Sequence, residues 1–236
     1  MKYVIIGCGG VGSWLTPTLA LLVKNKNVIL IDGDTLEKKN LNRQLFSDRD
    51  IGKNKAEALG RMYGIKAIPK WYSPGIMEHS REDCLLVCVD NNTARFHALQ
   101  VCDIFGCRAI VAANETHSSE AYVYLPEWRG TKLDPLVYYP EIISDQRNDP
   151  QRRSIGCTGE AQQANLQLVS ANFMAAALAQ HLSVLWTISI RSLDIDVYPN
   201  LPYRLRANLS RLEQSLIKDA EPNMYKNDNT NQSNPA

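Results

Sequence analysis

The chain has no Cys-x-x-Cys pair, no long apolar run, no excess charge of either sign and no repeat period. Each absence excludes something. The longest strictly apolar run is Phe173 to Ala179, far short of a bilayer span, and mean hydropathy is −0.27, so no membrane-spanning helix is expected. Lys and Arg total 26 against 25 Asp and Glu, and this balance argues against a nucleic-acid coat or an acidic-membrane binder. No basic and aromatic residues interleave as in nucleic-acid readers. Without a repeat, solenoids and propellers are disfavoured. Six cysteines in 236 residues are too sparse for a disulfide scaffold, so a reducing compartment is expected. Met1-Lys2-Tyr3 leads straight into a strand-like run without a secretory signal pattern, and a cytoplasmic location is expected.

What is present is a rhythm. Tyr3–Ile6, Val28–Ile31, Ile65–Ile68, Cys84–Val89 and Arg108–Ala112 read as strands. Ser13–Leu22, Asn54–Met62 and Thr93–Phe105 read as helices between them. Such alternation predicts an α/β, Rossmann-like, mainly parallel sheet with helices on both faces. Ala121–Tyr124 reads as a further strand, and residues 125–156 as a long irregular crossover loop. A long Ala-, Leu- and Val-rich helix is expected over Glu160–Trp186, followed by closing antiparallel strands over Thr187–Val197. Residues 1–220 are expected to form a single domain. The Asn-, Ser- and Gln-rich tail, 221–236, is expected to be disordered.

Gly7-Cys8-Gly9-Gly10-Val11-Gly12 follows the first strand and opens the first helix. Gly7 allows a tight turn, Gly9 lets backbone approach a phosphate, and Gly12 lets helix and strand pack closely. The helix N-terminus offers free N–H groups to an anion. Asp32 ends the second strand, where a carboxylate can accept from ribose hydroxyls. These features point to an adenosine nucleotide without saying which.

Further residues bear on that choice. Asp34 follows Asp32. The loop Asn40-Leu41-Asn42-Arg43-Gln44 carries an arginine, Lys55 opens the next helix, and Asp90-Asn91 follows the strong strand Cys84–Val89. Hydride transfer has no obvious use for two extra cations and an acid. A triphosphate attacked at its α-phosphorus does, because Arg and Lys neutralise phosphate oxygens and a carboxylate can hold Mg2+. A nicotinamide-dependent oxidoreductase and a non-catalytic nucleotide-binding adaptor remain the alternatives.

With these residues the chain resembles the ubiquitin-activating-enzyme-like adenylyltransferases, the ThiF, MoeB and HesA group, over about Tyr3 to Trp186. The Asn-Leu-x-Arg-Gln block is the most specific part. The resemblance implies binding of ATP and Mg2+ and adenylation of the C-terminal carboxylate of a ubiquitin-like or sulfur-carrier protein ending in glycine. By the same resemblance, a peptide or a modified tRNA base is a related substrate for adenylation. It assigns Gly7, Gly9, Gly10, Gly12, Asp32, Asp34, Asn40, Gln44 and Asn91 to the nucleotide. It gives Asp32 to the ribose, Arg43 and Lys55 to the phosphates and Asp90 to the metal. A homodimer is expected on the same ground.

Cys157 stands where relatives commonly carry a cysteine before the long helix. A thiol on such a loop, with Arg152 and Arg153 close by, could accept the acyl group as a thioester; the alternative is a structural cysteine. Many relatives hold zinc with two Cys-x-x-Cys pairs. Cys84 and Cys88 on one strand would be about 13 Å apart, so no zinc is expected. Cys102 and Cys107 read as buried small hydrophobes. Relatives usually begin with a helix whose arginine reaches the partner subunit's ATP. Here the sequence starts at the strand, which leaves Arg147, Arg152 and Arg153 as candidates for that role, or another protein as its source, or adenylation weak. His181 in the long helix reads as a packed histidine rather than a ligand.

Overall fold

A computed structural model describes residues 1–115, 117–144, 169–191, 202–208 and 216–218. Along the chain run β1 (Tyr3–Ile6), α1 (Gly10–Leu22), β2 (Val28–Ile31), α2 (Lys55–Tyr63), β3 (Lys66–Ile68), β4 (Cys84–Val87) and α3 (Asn92–Phe105). They are followed by β5 (Arg108–Asn114), β6 (Ser118–Tyr124), α4 (Pro135–Tyr138), α5 (Glu141–Ser144), α6 (Val169–Arg191), β7 (Arg204–Asn208) and β8 (Leu216–Lys218).

The strands form one sheet in the order β3-β2-β1-β4-β5-β6-β7-β8. The first five are parallel to one another; β6, β7 and β8 are each antiparallel to the strand before. The expected α/β architecture with antiparallel closing strands is therefore present. Tyr-Val-Ile-Ile, Val-Ile-Leu-Ile and Cys-Leu-Leu-Val in β1, β2 and β4 are buried at every residue. A parallel sheet covered on both faces requires this, because successive side chains enter opposite layers. Tyr3 and Ile5 join α1, α2 and α6 in one layer, while Val4 and Ile6 join α3, α4 and α5 in the other. Fully burying each such side chain stabilises the fold by about 1.5–3 kcal/mol.

Local signals set the helix ends. The Asn54 side chain accepts from Glu57 N–H and caps α2, whose C-terminus stops at Gly64 with φ +65°. Asn91 caps α3 by accepting from Ala94 N–H, and Gly106 ends it at φ +67°. Side-chain caps of this kind are worth about 1 kcal/mol each.

Three sequence expectations need correction. Thr187–Arg191 continues α6 instead of starting a strand; the closing strands lie later, at β7 and β8. The β-branched Thr187, Ile188 and Ile190 favour extended backbone, but they follow an established helix, and propagation outweighs a weak local preference. The crossover is not wholly irregular, since Pro126–Trp128 forms a 3-10 turn and Pro135 and Glu141 open the short helices α4 and α5. His181 is exposed on α6 rather than packed. The tail, 221–236, and the start of the long helix lie outside the described residues. Among the described residues no helix is long and apolar enough to cross a membrane.

Candidate functional site

The chain runs from β1 outward to β2 and β3, then returns across β1 to β4. This reversal opens a crevice at the C-terminal ends of β1 and β4, the place where open α/β sheets bind ligands. The Gly-rich turn, Asp32 and Asp90 all follow strands that end there.

Backbone contacts dictate the turn. Gly7 has φ +89°, and a Cβ on it would lie 2.8 Å from the Cys88 carbonyl oxygen. A Cβ on Gly12 would lie 1.9 Å from the Gly7 carbonyl oxygen, so only glycine lets α1 pack on the end of β1. Gly9 caps α1 without a side-chain hydrogen bond, and the first turn holds no acid. The helix therefore presents open N–H groups and the positive end of its dipole to the crevice.

Asp32 is buried beneath this turn. Its carboxylate accepts from Cys8 N–H at 2.6 Å and from Asp34 N–H at 2.7 Å. Burial pushes its pKa up, against the pull of Lys55 and the two N–H donors. Lys55, itself buried, donates from Nζ to Asp34 at 2.5 Å. Asn54 Nδ2 donates to the Asp32 and Asp34 carbonyls at 2.8 and 3.1 Å, so the start of α2 is tied to the end of β2. A buried cation and two carboxylates thus converge beneath the turn.

The arginine loop is held from behind. Asn40 is buried, with Oδ1 accepting from Glu37 N–H at 3.0 Å, and so shapes the loop. Leu45 N–H donates to Ser13 Oγ at 3.0 Å. The Arg43 carbonyl accepts from Trp14 Nε1 of α1 at 3.2 Å and from Asn172 Nδ2 of α6 at 3.3 Å. The Arg43 guanidinium is half-buried and, among the described residues, bonded within its own loop, to the Lys39 carbonyl and Asn42 Oδ1. Gln44 is buried beside Gly9, and its Oε1 has no partner among the described residues.

At β4 the Cys88 N–H donates to the Ile6 carbonyl, which holds the following residues against the turn. Asp90 is exposed there, while Asn91 is already employed as the α3 cap. Among the described residues no three His, Cys, Asp or Glu cluster as a metal site. A single exposed carboxylate suits Mg2+, whose remaining ligands are usually water and phosphate.

The structure thus gathers Gly7, Gly9, Gly10, Gly12, Asp32, Asp34, Asn40, Arg43, Gln44 and Lys55 around the ends of β1 and β2, with Asp90 and Asn91 beyond neighbouring β4. Cys157, Arg147, Arg152 and Arg153 lie outside the described residues. The five described cysteines are all buried. Burial and the adjacent Asp32 push the Cys8 thiol well up, and burial pushes Cys84 and Cys88 to about 12, so none of these three is a ready nucleophile.

Two residues of this framework escaped the sequence. Asn54 is a cap and a strap, and its position directly before Lys55 was the available signal. Asn172 is fully buried on α6 against Gly10, where a Cβ on Gly10 would lie 2.5 Å from its Oδ1. Gly10 is therefore small because Asn172 occupies the space above it. The signal was an asparagine directly before the apolar run Phe173–Ala179. Its Oδ1 has no partner among the described residues, an arrangement that costs about 1–3 kcal/mol.

Comparison with known proteins agrees with this geometry. The ThiF family pattern matches residues 1–183, and the chain belongs to the ThiF family. Over 57 residues it is 47% identical to the NEDD8-activating enzyme E1 catalytic subunit of Saccharomyces cerevisiae, and over 66 residues 51% identical to the Drosophila melanogaster subunit. These matches cover 24% and 28% of this chain but only 19% and 14% of the relatives. Its fold resembles Escherichia coli MccB solved with ATP, at a TM-score of 0.59 and 21% identity over 92% of this chain and 63% of that one. PaaA matches at a TM-score of 0.58 and 18% identity, over 92% of this chain and 72% of that one. Family membership leaves the nicotinamide alternative without support.

Proposed function

We propose that the chain binds ATP with Mg2+ and adenylates the C-terminal carboxylate of a small ubiquitin-like or sulfur-carrier protein. The observation that carries this reading is the buried Asp32–Asp34–Lys55 cluster beneath an uncapped helix N-terminus, with Arg43 on the loop beside it. Family membership, relatives that activate NEDD8 and a fold neighbour solved with ATP support it.

In this mechanism the open N–H groups of α1 receive phosphate oxygens and Asp32 accepts from the ribose hydroxyls. Lys55 exchanges part of its pairing with Asp34 for the phosphates, and Arg43 swings from its loop carbonyl to them. Asp90 would hold Mg2+, which when bound offsets the triphosphate's negative charge. A carboxylate oxygen attacks the α-phosphorus and forms a P–O bond. The bond from that phosphorus to the β-bridging oxygen breaks, and pyrophosphate leaves with the electron pair. Arg43 and Lys55 stabilise the charge that builds on the phosphate oxygens.

The finer proposals are a glycine-terminated acyl substrate, transfer to a Cys157 thioester, a homodimer and a cytoplasmic setting. The central test is ATP–pyrophosphate exchange with the small partner protein present. Exchange that depends on ATP and on that partner is expected; no affinity for ATP in a calorimetric titration sinks the reading. Cys157→Ala should leave exchange within twofold of wild type and abolish a thiol-sensitive adduct on denaturing gels.

A further inference from the structure

We propose that Asn172 is a positioning residue for the triphosphate, acting through the backbone of Arg43. This rests on the assignment of Arg43 to the phosphates. Three observations converge on it. Asn172 is fully buried, yet it lies on α6, 129 residues away in sequence from the arginine loop it serves. Its Nδ2 donates to the Arg43 carbonyl, and Trp14 Nε1 of α1 donates to the same oxygen. Its Oδ1 sits over Gly10, in the first turn of the helix whose N-terminus faces the crevice.

The two donors hold the peptide of Arg43 at a fixed distance from α1. Among the described residues the guanidinium is anchored within its own loop, so it can turn toward a ligand while its Cα stays in place. One amide thereby sets the arginine loop against the Gly-rich turn. The hydrogen bond also fixes the orientation of the amide, since exchanging Oδ1 and Nδ2 would set an oxygen against the Arg43 carbonyl. A buried asparagine whose oxygen has no partner among the described residues is a poor choice for packing alone, and an apolar residue would serve that better. The donor is what an apolar residue cannot supply.

The consequence is selective. Arg43 is assigned to the phosphates, of which ATP carries three and AMP one, whereas Asp32 is assigned to the ribose that both share. Loss of the Asn172 donor should weaken ATP binding and spare AMP binding. The test is calorimetric titration of the full chain with ATP–Mg2+ and with AMP, for wild type, Asn172→Ala and Trp14→Phe. Trp14→Phe removes only the second donor to the same carbonyl and keeps a ring against Phe173, so it serves even if Asn172→Ala folds poorly. Each variant should bind ATP about tenfold more weakly, equivalent to about 1.4 kcal/mol, with AMP affinity within twofold. An unchanged ratio of ATP to AMP affinity in both variants overturns the inference. A wild type that binds ATP but shows no advantage over AMP overturns the assignment of Arg43 instead.

Discussion

The parallel and antiparallel halves of the sheet are built on different terms. In β1, β2 and β4 every side chain is apolar and buried, and polarity is confined to the loops beyond the strand ends. In β6 and β7 polar side chains work within the sheet. Glu120 accepts from the Tyr139 hydroxyl and pairs with Arg206, Arg204 lies over the Tyr138 ring at 5.2 Å, and the Tyr124 hydroxyl and Arg129 both donate to Asp103. The parallel half is an inert platform whose backbone geometry creates a site at its rim. The antiparallel half is held to the crossover helices by side-chain pairs. Damage to the first should therefore reach the nucleotide, and damage to the second should reach stability alone.

The largest effect expected from breaking the rim of the parallel half is on chemistry. Lys55→Ala and Asp90→Ala should each lower ATP–pyrophosphate exchange about 10²–10³-fold, as removal of a transition-state charge partner does. Retention of the wild-type rate in either variant would show that the rim does not carry the reaction. Next comes the fold itself. Gly12→Ala drives a Cβ into the Gly7 carbonyl and should cost more than about 3 kcal/mol, whereas Gly130→Ala in the crossover meets open space. At Gly130 only its φ of +74° is strained, at about 1 kcal/mol, and thermal melts of the pair should separate them clearly.

Glu120→Gln in the antiparallel half should lower stability by about 1–2 kcal/mol and leave ATP affinity within twofold. A comparable loss of ATP affinity would mean that the halves are not independent. The smallest effect concerns pH. Burial raises the Asp32 carboxyl above its unfolded value. Its contribution to stability is thus present below the unfolded pKa of about 3.9 and lost as pH rises through the folded value, so ionised Asp32 opposes the empty fold. Ribose hydroxyls donate to the ionised form, so ATP affinity should fall as pH drops through the folded value. Asp32→Asn should flatten that dependence; a dependence that survives it belongs to another group.

Not everything in this molecule was equally legible. The apolar tetrapeptides of β1, β2 and β4, alternating with helical segments, announced a doubly covered parallel sheet, because a strand apolar on both faces needs a layer on each side and the intervening helices supply it. The spacing of Gly7, Gly9 and Gly12 and the acid at Asp32 were readable because a tight turn and a close helix leave no stereochemical alternative. Thr187–Arg191 misled because β-branched residues favour strands locally, while a helix already running sets the backbone. Asn91, which the resemblance assigns to the nucleotide, also caps α3, and the sequence alone did not separate the two roles.

The amino-acid sequence by itself determined the layered α/β plan, the Gly-rich turn at the end of β1 and the kinship with the ThiF family. These follow from local periodicity and from short motifs whose parts are neighbours along the chain. Only the tertiary structure decided that Asp34 pairs with Lys55, that Asn54 straps α2 to β2, and that Asn172 reaches Arg43 from a helix more than a hundred residues away. The first two depend on how α2 seats against β2 and the third on the packing of α6 against α1, and no local pattern records which side chains such packing brings together.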